Sequence, residues 1–498
     1  LSLLKKLAGE TAIYGTSSIL SRLLNFFILT PFLTRIFTTQ AYGVVSEMYT
    51  WAALLMILFT YRMETAFFRF GNRSGAELEK TYATAAIALA GSTLVLLGVL
   101  LLAAQAIATQ LGYPQHPEYV RWFAFIIAFD ALAAIPFARL RLDNRPVHFA
   151  IVKTLNVVVN IAFIFFFLKL LPYLQDNGAV WASWLYRPDL GVGYVFLSNL
   201  IASVSVLLLL MPMYRKLQWQ FDFSLWREML QYAAPLIVAG VAGVINQLMA
   251  IPMIKWFSRQ DGLAQAGIYG AVAKLAVLMN LFTQAFNYAA EPFFFRHSER
   301  EDKGIIYAQV GQGFTLVGSL AFLGIMLYMD LIQFYLGKDF RTGLDVVPLL
   351  LLAYLFLGLY YNFSIWYKLA DRTIIGGYIG VSGAVITLSL NYLLIPQYGY
   401  MGAGWAALAC YGFMALASYW TGQRHYPIHY PIGRMAAYIL VAVLLFGLSL
   451  YLERWLQPGF WAGLALNTLL FTAYLLYVAM LERSTLRQWY RQFRKKQV

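Results

Sequence analysis

The chain has one cysteine, Cys410, and five histidines among its 498 residues. A single thiol excludes an internal disulfide framework and a cysteine-built metal cluster. The histidines are scattered without ligand spacing such as HxxxH. Neither a metal site nor a cofactor is expected. Charge is scarce too: Asp, Glu, Lys and Arg make up 12% of the residues, about half the usual share of a soluble domain. At roughly 150 residues per domain the length would give about three soluble domains. A chain that is 61% apolar and 17% aromatic cannot hide that surface in water-bounded cores, and lipid is the solvent it fits.

What is present is a series of long uncharged stretches. No charged residue occurs from Thr81 to Pro117, Leu190 to Tyr214, Met229 to Ile254 or Trp455 to Leu481, and Thr373 to Gln423 runs uncharged for 51 residues. A spanning helix needs about 20 apolar residues, so the last stretch holds two, divided at the turn signal Pro396-Gln397-Tyr398-Gly399. The pattern predicts an all-α polytopic membrane protein with about 14 spans, near 11–36, 41–68, 80–107, 119–139, 148–171, 192–213, 229–256, 264–291, 305–331, 344–368, 373–395, 401–422, 433–453 and 459–481. The sustained period-2 alternation of a membrane β-barrel is missing. Lys5 and Lys6 precede a full-length span rather than a short apolar region and a cleavage site, so no cleavable signal peptide is expected.

The net charge of +14 raises the question of nucleic acid, and the placement of the charges answers it. With the N-terminus inside, 24 basic residues fall on the cytoplasmic side and nine outside. That bias orients an even number of helices with both ends in the cytoplasm. The tail from Arg483 to Lys496 lies on this reading against the anionic inner leaflet. Membrane lipids, not nucleic acid, are the expected partners of the positive charge.

An internal repeat runs through the chain. Tyr42-Gly43, Glu47, Glu64 and Phe67-Phe68-Arg69 return as Tyr269-Gly270, Lys274, Glu291 and Phe294-Phe295-Arg296, each 227 residues later. Asn25 stands six residues before Pro31, as Asn246 stands before Pro252. Six spans per repeat is an even number, so the copies enter the bilayer in the same sense, related by a pseudo-two-fold axis along the membrane normal. The expected organisation is a six-helix lobe over 1–220, a second over 221–425, two added helices over 426–482 and a basic cytoplasmic tail over 483–498. Pro31 and Pro252 each remove a backbone hydrogen bond inside paired spans and are candidate hinges, static bends being the alternative.

Four cations lie inside predicted spans: Arg22, Arg62, Lys153 and Lys274. Each costs about 2.5–3.5 kcal/mol on insertion scales when placed centrally. Arg22 and Lys274 are near mid-membrane. Lys153 has a route to water by snorkelling, and Arg62 has Glu64 or Glu291 as partners. Arg22 and Lys274 have no such escape, and a wet cationic cavity between the two lobes, shared with Arg62 and Lys153 as substrate-binding candidates, accounts for them. It suits a phosphate-bearing lipid, which Arg grips as a fork and Lys as a point charge. Glu47, the repeat counterpart of Lys274, is expected to bridge to it, as a fixed pair or as a gate. Asp130, deep in span 4, is either a protonated core residue or a coupling site. Glu64 and Glu291 complete the gating candidates.

Arg22, Ala41-Tyr42-Gly43, Ala234-Pro235, Gly267-Ile-Tyr-Gly270 with Lys274, and Asn391-Tyr-Leu-Leu-Ile-Pro396-Gln-Tyr-Gly399-Tyr-Met-Gly402-Ala403 together resemble the polysaccharide-transport branch of the multidrug/oligosaccharidyl-lipid/polysaccharide exporter superfamily. The resemblance spans nearly the whole chain. It implies a bacterial inner-membrane flippase that moves an undecaprenyl-diphosphate-linked oligosaccharide from the inner to the outer leaflet for surface polysaccharide such as lipopolysaccharide. It further implies a V-shaped two-lobe fold with a cationic cavity lined by helices 1, 2, 7 and 8, in which Arg22 and Lys274 match basic positions of related flippases. Polysaccharide-assembly proteins are further expected partners. The lipid II flippase branch places sodium-binding carboxylates on helices 7 and 11, where this chain offers Asn246, Gln247 and Asn391. Alternatives are a lipid II flippase, a drug/cation antiporter of the same fold, and a membrane glycosyltransferase or polymerase. The last needs catalytic carboxylates or a large external loop, and the longest outside loop, near 172–191, carries only Asp176 and Asp189.

Overall fold

Apolar helices dominate the computed structural model, which describes residues 23–73, 77–215, 217 and 219–483. The first predicted span is therefore described only from residue 23: a π-helical turn, Asn25–Leu29, leads into α1 (Thr30–Ile36). Among the described residues thirteen further helices are long and apolar enough to cross a membrane. They are α2 (Thr39–Asn72), α3 (Leu78–Leu102), α4 (Pro117–Leu142), α5 (Pro146–Asp176), α6 (Gly193–Arg215), α7 (Phe223–Leu248), α8 (Gly262–Arg296), α9 (Lys303–Leu327), α10 (Lys338–Leu369), α11 (Thr373–Tyr398), α12 (Tyr400–His425), α13 (Ile432–Leu456) and α14 (Phe460–Leu481). Among the described residues there is no strand. The chain is a multi-pass membrane protein by helix number and composition.

Local chemistry sets several ends. The Thr38 hydroxyl accepts a hydrogen bond from the Ala41 amide at the start of α2, and the Asp222 carboxylate accepts one from Leu225 at the start of α7. Both satisfy donors that a helix N-terminus leaves unpaired. Pro117 and Pro146 occupy the first positions of α4 and α5, where no amide hydrogen is needed. The predicted break at Pro396 is displaced. α11 carries Pro396 inside its last turn and closes at Gly399, φ 55°, because a proline costs only the one hydrogen bond it cannot donate and the left-handed glycine makes the turn.

The prolines flagged as hinges sit at irregular backbone. Pro31 follows the π-helical turn. Pro252 lies in a short helix, Ala250–Phe257, separated from α7 at Met249. The carbonyl four residues before Pro252 belongs to Leu248, the last residue of α7, which loses its helical donor there. A third break, unannounced by proline, divides α2: Tyr61 and Arg62 adopt left-handed φ values of 32° and 57° before the helix resumes at Met63.

By packing, the described residues divide into two compact units, those within 23–271 with 391–400, and those within 272–390 with 401–483. In the first, Met63, Phe67, Tyr82, Leu89 and Ile135 form a buried core with Met229 and Ala233 of α7. That contact brings α7 into the first unit, although it belongs to the second sequence repeat. The second unit is centred on Phe314, Leu355, Leu359, Cys410, Met414 and Met435, so that α13 packs with α9, α10 and α12.

Candidate functional site

Within the first unit, α2, α4, α5 and α6 enclose a cavity of about 560 Å³. Only α2 belongs to the set of cavity-lining helices that the resemblance implies. Ala53, Met56, Ile57, Ala133, Phe137, Phe149 and Val206 supply an apolar wall, and into it face Arg62, Arg141, Lys153, Glu64, Asp130 and Asn156. Two of the four cations singled out in the sequence, Arg62 and Lys153, therefore share one chamber with Asp130 and Glu64.

Each cation is placed by its backbone. The left-handed turn at Tyr61–Arg62 swings Arg62 out of the helical course of α2, and Gly240 of α7 leaves the space that its guanidinium occupies. Its nearest carboxylate, Glu64, is 3.9 Å away, and 37% of the Arg62 side chain is exposed. Lys153 points its ammonium at the Phe137 ring, 4.3 Å from the centroid. Arg141 lies 5.7 Å from the centroid of Phe68. Among the described residues no carboxylate is within ion-pair distance of Lys153 or Arg141. Their neighbour Arg139 differs sharply, held by Glu79 at 2.6 Å and Asp143 at 2.8 Å. Three cations against two carboxylates, none closely paired, leave the chamber with surplus positive charge beside a low-dielectric wall, where attraction for an anion is strengthened.

The other flagged residues lie elsewhere. Arg22 falls outside the described residues. Lys274, in α8, belongs to the second unit; its side chain is exposed and has no ion pair among the described residues. Glu291 pairs with Lys368 at 2.8 Å, leaving Glu64 as the partner of Arg62.

Glu47 pairs with Lys255 rather than with Lys274. Its carboxylate is fully buried and accepts from the Lys255 ammonium at 2.6 Å and from the Tyr113 hydroxyl at 2.5 Å. Lys255 also donates to the Leu111 carbonyl at 2.5 Å and to the Tyr113 oxygen at 3.0 Å. The reason is topological: the short helix after Met249 and the connection after α3 bring Lys255 and Tyr113 onto the same stretch of α2. Burial, reinforced by the Glu47 charge, raises the Tyr113 pKa well above its ordinary value, so the phenol stays a donor. Lys255, Tyr113 and Arg141 carry no mark in the sequence that sets them apart from loop residues, and Lys255 is 208 residues from Glu47.

Beside this cluster the N-terminal parts of α2 and α8 meet backbone to backbone. A methyl group on Gly43 would overlap the Leu263 carbonyl, and one on Gly267 the Thr39 carbonyl. Gly270 faces Ser46 and Tyr42, and Gln40 donates to Asp261 at 2.7 Å.

This architecture is that of known lipid and drug exporters. It superposes with a TM-score of 0.72 on the lipid II flippase MurJ in an inward closed conformation, at 14% identity over 95% of this chain and 99% of that one. An inward-facing multidrug resistance MATE family transporter of the MOP superfamily gives 0.63 at 10% identity, covering 85% and 98%. The Vibrio cholerae MATE transporter VcmN gives 0.58 at 14%, covering 85% and 97%. The fold is thus the two-lobed transporter fold of these proteins. The chain itself belongs to the polysaccharide biosynthesis protein family, whose profile matches residues 7–298. No curated protein matches it by sequence.

Proposed function

We propose that the chain is a flippase that carries a polyprenyl-diphosphate-linked oligosaccharide from the inner to the outer leaflet of a bacterial cytoplasmic membrane, with both termini cytoplasmic. The observation that carries this reading is the chamber in which Arg141 and Lys153 stand without an ion-pair partner among the described residues and Arg62 has only Glu64, at 3.9 Å. Keeping loosely paired cations in an apolar wall costs free energy, and a diphosphate offsets that cost by supplying the missing negative charge. Arg62 and Arg141 fork its oxygens, Lys153 adds a point charge, and the phenylalanines keep competing water out. Membership of a polysaccharide biosynthesis family supports a glycan as the cargo, and the transporter fold supports movement by alternating access. Lys274 and Arg22 serve on this reading as further cationic stations, Asp130, Glu64 and Glu291 as gating groups, and Pro31 and Pro252 as the flexing points.

The test is glycan export in cells carrying Arg62→Ala or Lys153→Ala. Loss of export with unchanged membrane abundance is the expected outcome, and normal export in both variants defeats the reading. Asp130 and Glu64 in the same chamber favour one alternative, export of an organic cation. Liposome uptake of such a cation that survives Lys153→Ala but is lost in Asp130→Asn would establish it instead.

A further inference from the structure

Glu47, Lys255 and Tyr113 form a cluster of titratable groups outside the chamber, and one atom in it is out of place for a purely structural ion pair. The ammonium of Lys255 is saturated with three acceptors. The second carboxylate oxygen of Glu47, Oε1, is buried and has no hydrogen-bond partner. Buried polar groups are almost always satisfied, so the arrangement leaves free energy unspent that an opened, hydrated state would recover. A buried ion pair also differs from apolar packing in what happens when it separates. Desolvation cancels much of its attraction while it is closed, and water compensates both charges once it opens. Such a contact fixes geometry firmly in one state and releases without a large penalty into another.

Its surroundings fit a moving part. Lys255 lies three residues after Pro252, in the short helix that follows α7 across the irregular joint at Met249, a point where the segment that carries it can bend relative to α7. The same end of the bundle holds the α2–α8 glycine contact and the Gln40–Asp261 hydrogen bond. With the cytoplasmic side assigned by the distribution of Lys and Arg, this is the outer end.

We infer that Glu47, Lys255 and Tyr113 are the lock of an outer seal, with Lys255 a positioning residue that holds the short helix 250–257 against α2 until release to the outside. This rests on the transport reading only for the purpose of the lock.

The test measures the seal itself. Ser46→Cys is introduced into full-length protein carrying Cys410→Ala, and its labelling by a membrane-impermeant maleimide added outside is timed. Glu47→Gln and Lys255→Gln are expected to speed labelling at least tenfold, and Tyr113→Phe, which keeps the ion pair, about threefold. The charge swap Glu47→Lys with Lys255→Glu is expected to restore slow labelling. Unchanged labelling in the single variants overturns the lock, as does a swap that labels as fast as they do. Should the Gln variants fail to fold, Tyr113→Phe decides: an unchanged rate there overturns the lock. A merely structural role would lower thermal stability without altering access from outside. No substrate enters the measurement, so a different cargo would leave the result standing while defeating the flippase reading.

Discussion

Two groups of cations in the same unit are arranged in opposite ways. Lys255 is 12% exposed and bound by a carboxylate, a carbonyl and a phenol; Lys153 faces an aromatic ring and open space. The first arrangement spends its charge on the protein's own groups, and the second keeps it for something else. Arg139 and Arg141 repeat the contrast two residues apart, one doubly ion-paired and the other turned to the chamber. Residue type and burial therefore do not reveal which intramembrane charge is structural. The state of its partners does.

Substitutions should separate the two groups. The largest stability effect is expected for Lys255→Ala, which strands the fully buried Glu47 carboxylate: a loss of about 3–5 kcal/mol, read as a lowered Tm in detergent, with much of it recovered when Glu47→Ala is added. Equal Tm values for the single and double variants would break the contrast. Gly267→Ala should come next, at about 1–3 kcal/mol, because the new methyl group meets backbone atoms, the Thr39 carbonyl and the Gly43 amide, rather than the end of a flexible side chain. Lys153→Ala is expected to leave stability within about 0.5 kcal/mol while weakening binding of a polyprenyl diphosphate in nanodiscs about tenfold, or roughly 1.4 kcal/mol. A stability loss as large as that of Lys255→Ala would return Lys153 to the structural group.

The smallest effect should come from Asp222, at the membrane surface. The Lys80 ammonium at 2.6 Å, helped by the backbone amides at the start of α7, holds its carboxyl below the ordinary value. A carboxyl depressed in the folded state adds stability at pH values above its unfolded pKa, near 3.9, and loses it as pH falls through the folded value. Asp222→Asn should thus lower Tm slightly at pH 7, and the difference from the parent should shrink in acid.

The helices are legible from sequence because a spanning segment must satisfy its backbone internally and be apolar nearly all round, a property of contiguous residues. The thirteen described spans lie near the last thirteen of the predicted ones, six of them in the uncharged stretches. The meeting of Arg62 and Lys153 is less legible. Their insertion cost marks each one, but the left-handed turn at Tyr61–Arg62 that aims Arg62 has neither glycine nor proline to announce it. The partnership of Glu47 with Lys255 is illegible, since it depends on where the short helix after the Met249 joint and a returning loop come to rest. The repeat drew attention to Lys274 instead, and a repeat predicts equivalent positions, not contacts.

The meeting of α2 with α8 has an evolutionary corollary. The duplicated Tyr-Gly pairs, Tyr42-Gly43 and Tyr269-Gly270, both lie in this one helix–helix contact. A patch that meets its own copy is the hallmark of an isologous dimer, and gene fusion would carry such a patch inside a single polypeptide. The two halves are then no longer free to diverge independently there: bulk gained by one copy must be yielded by the other.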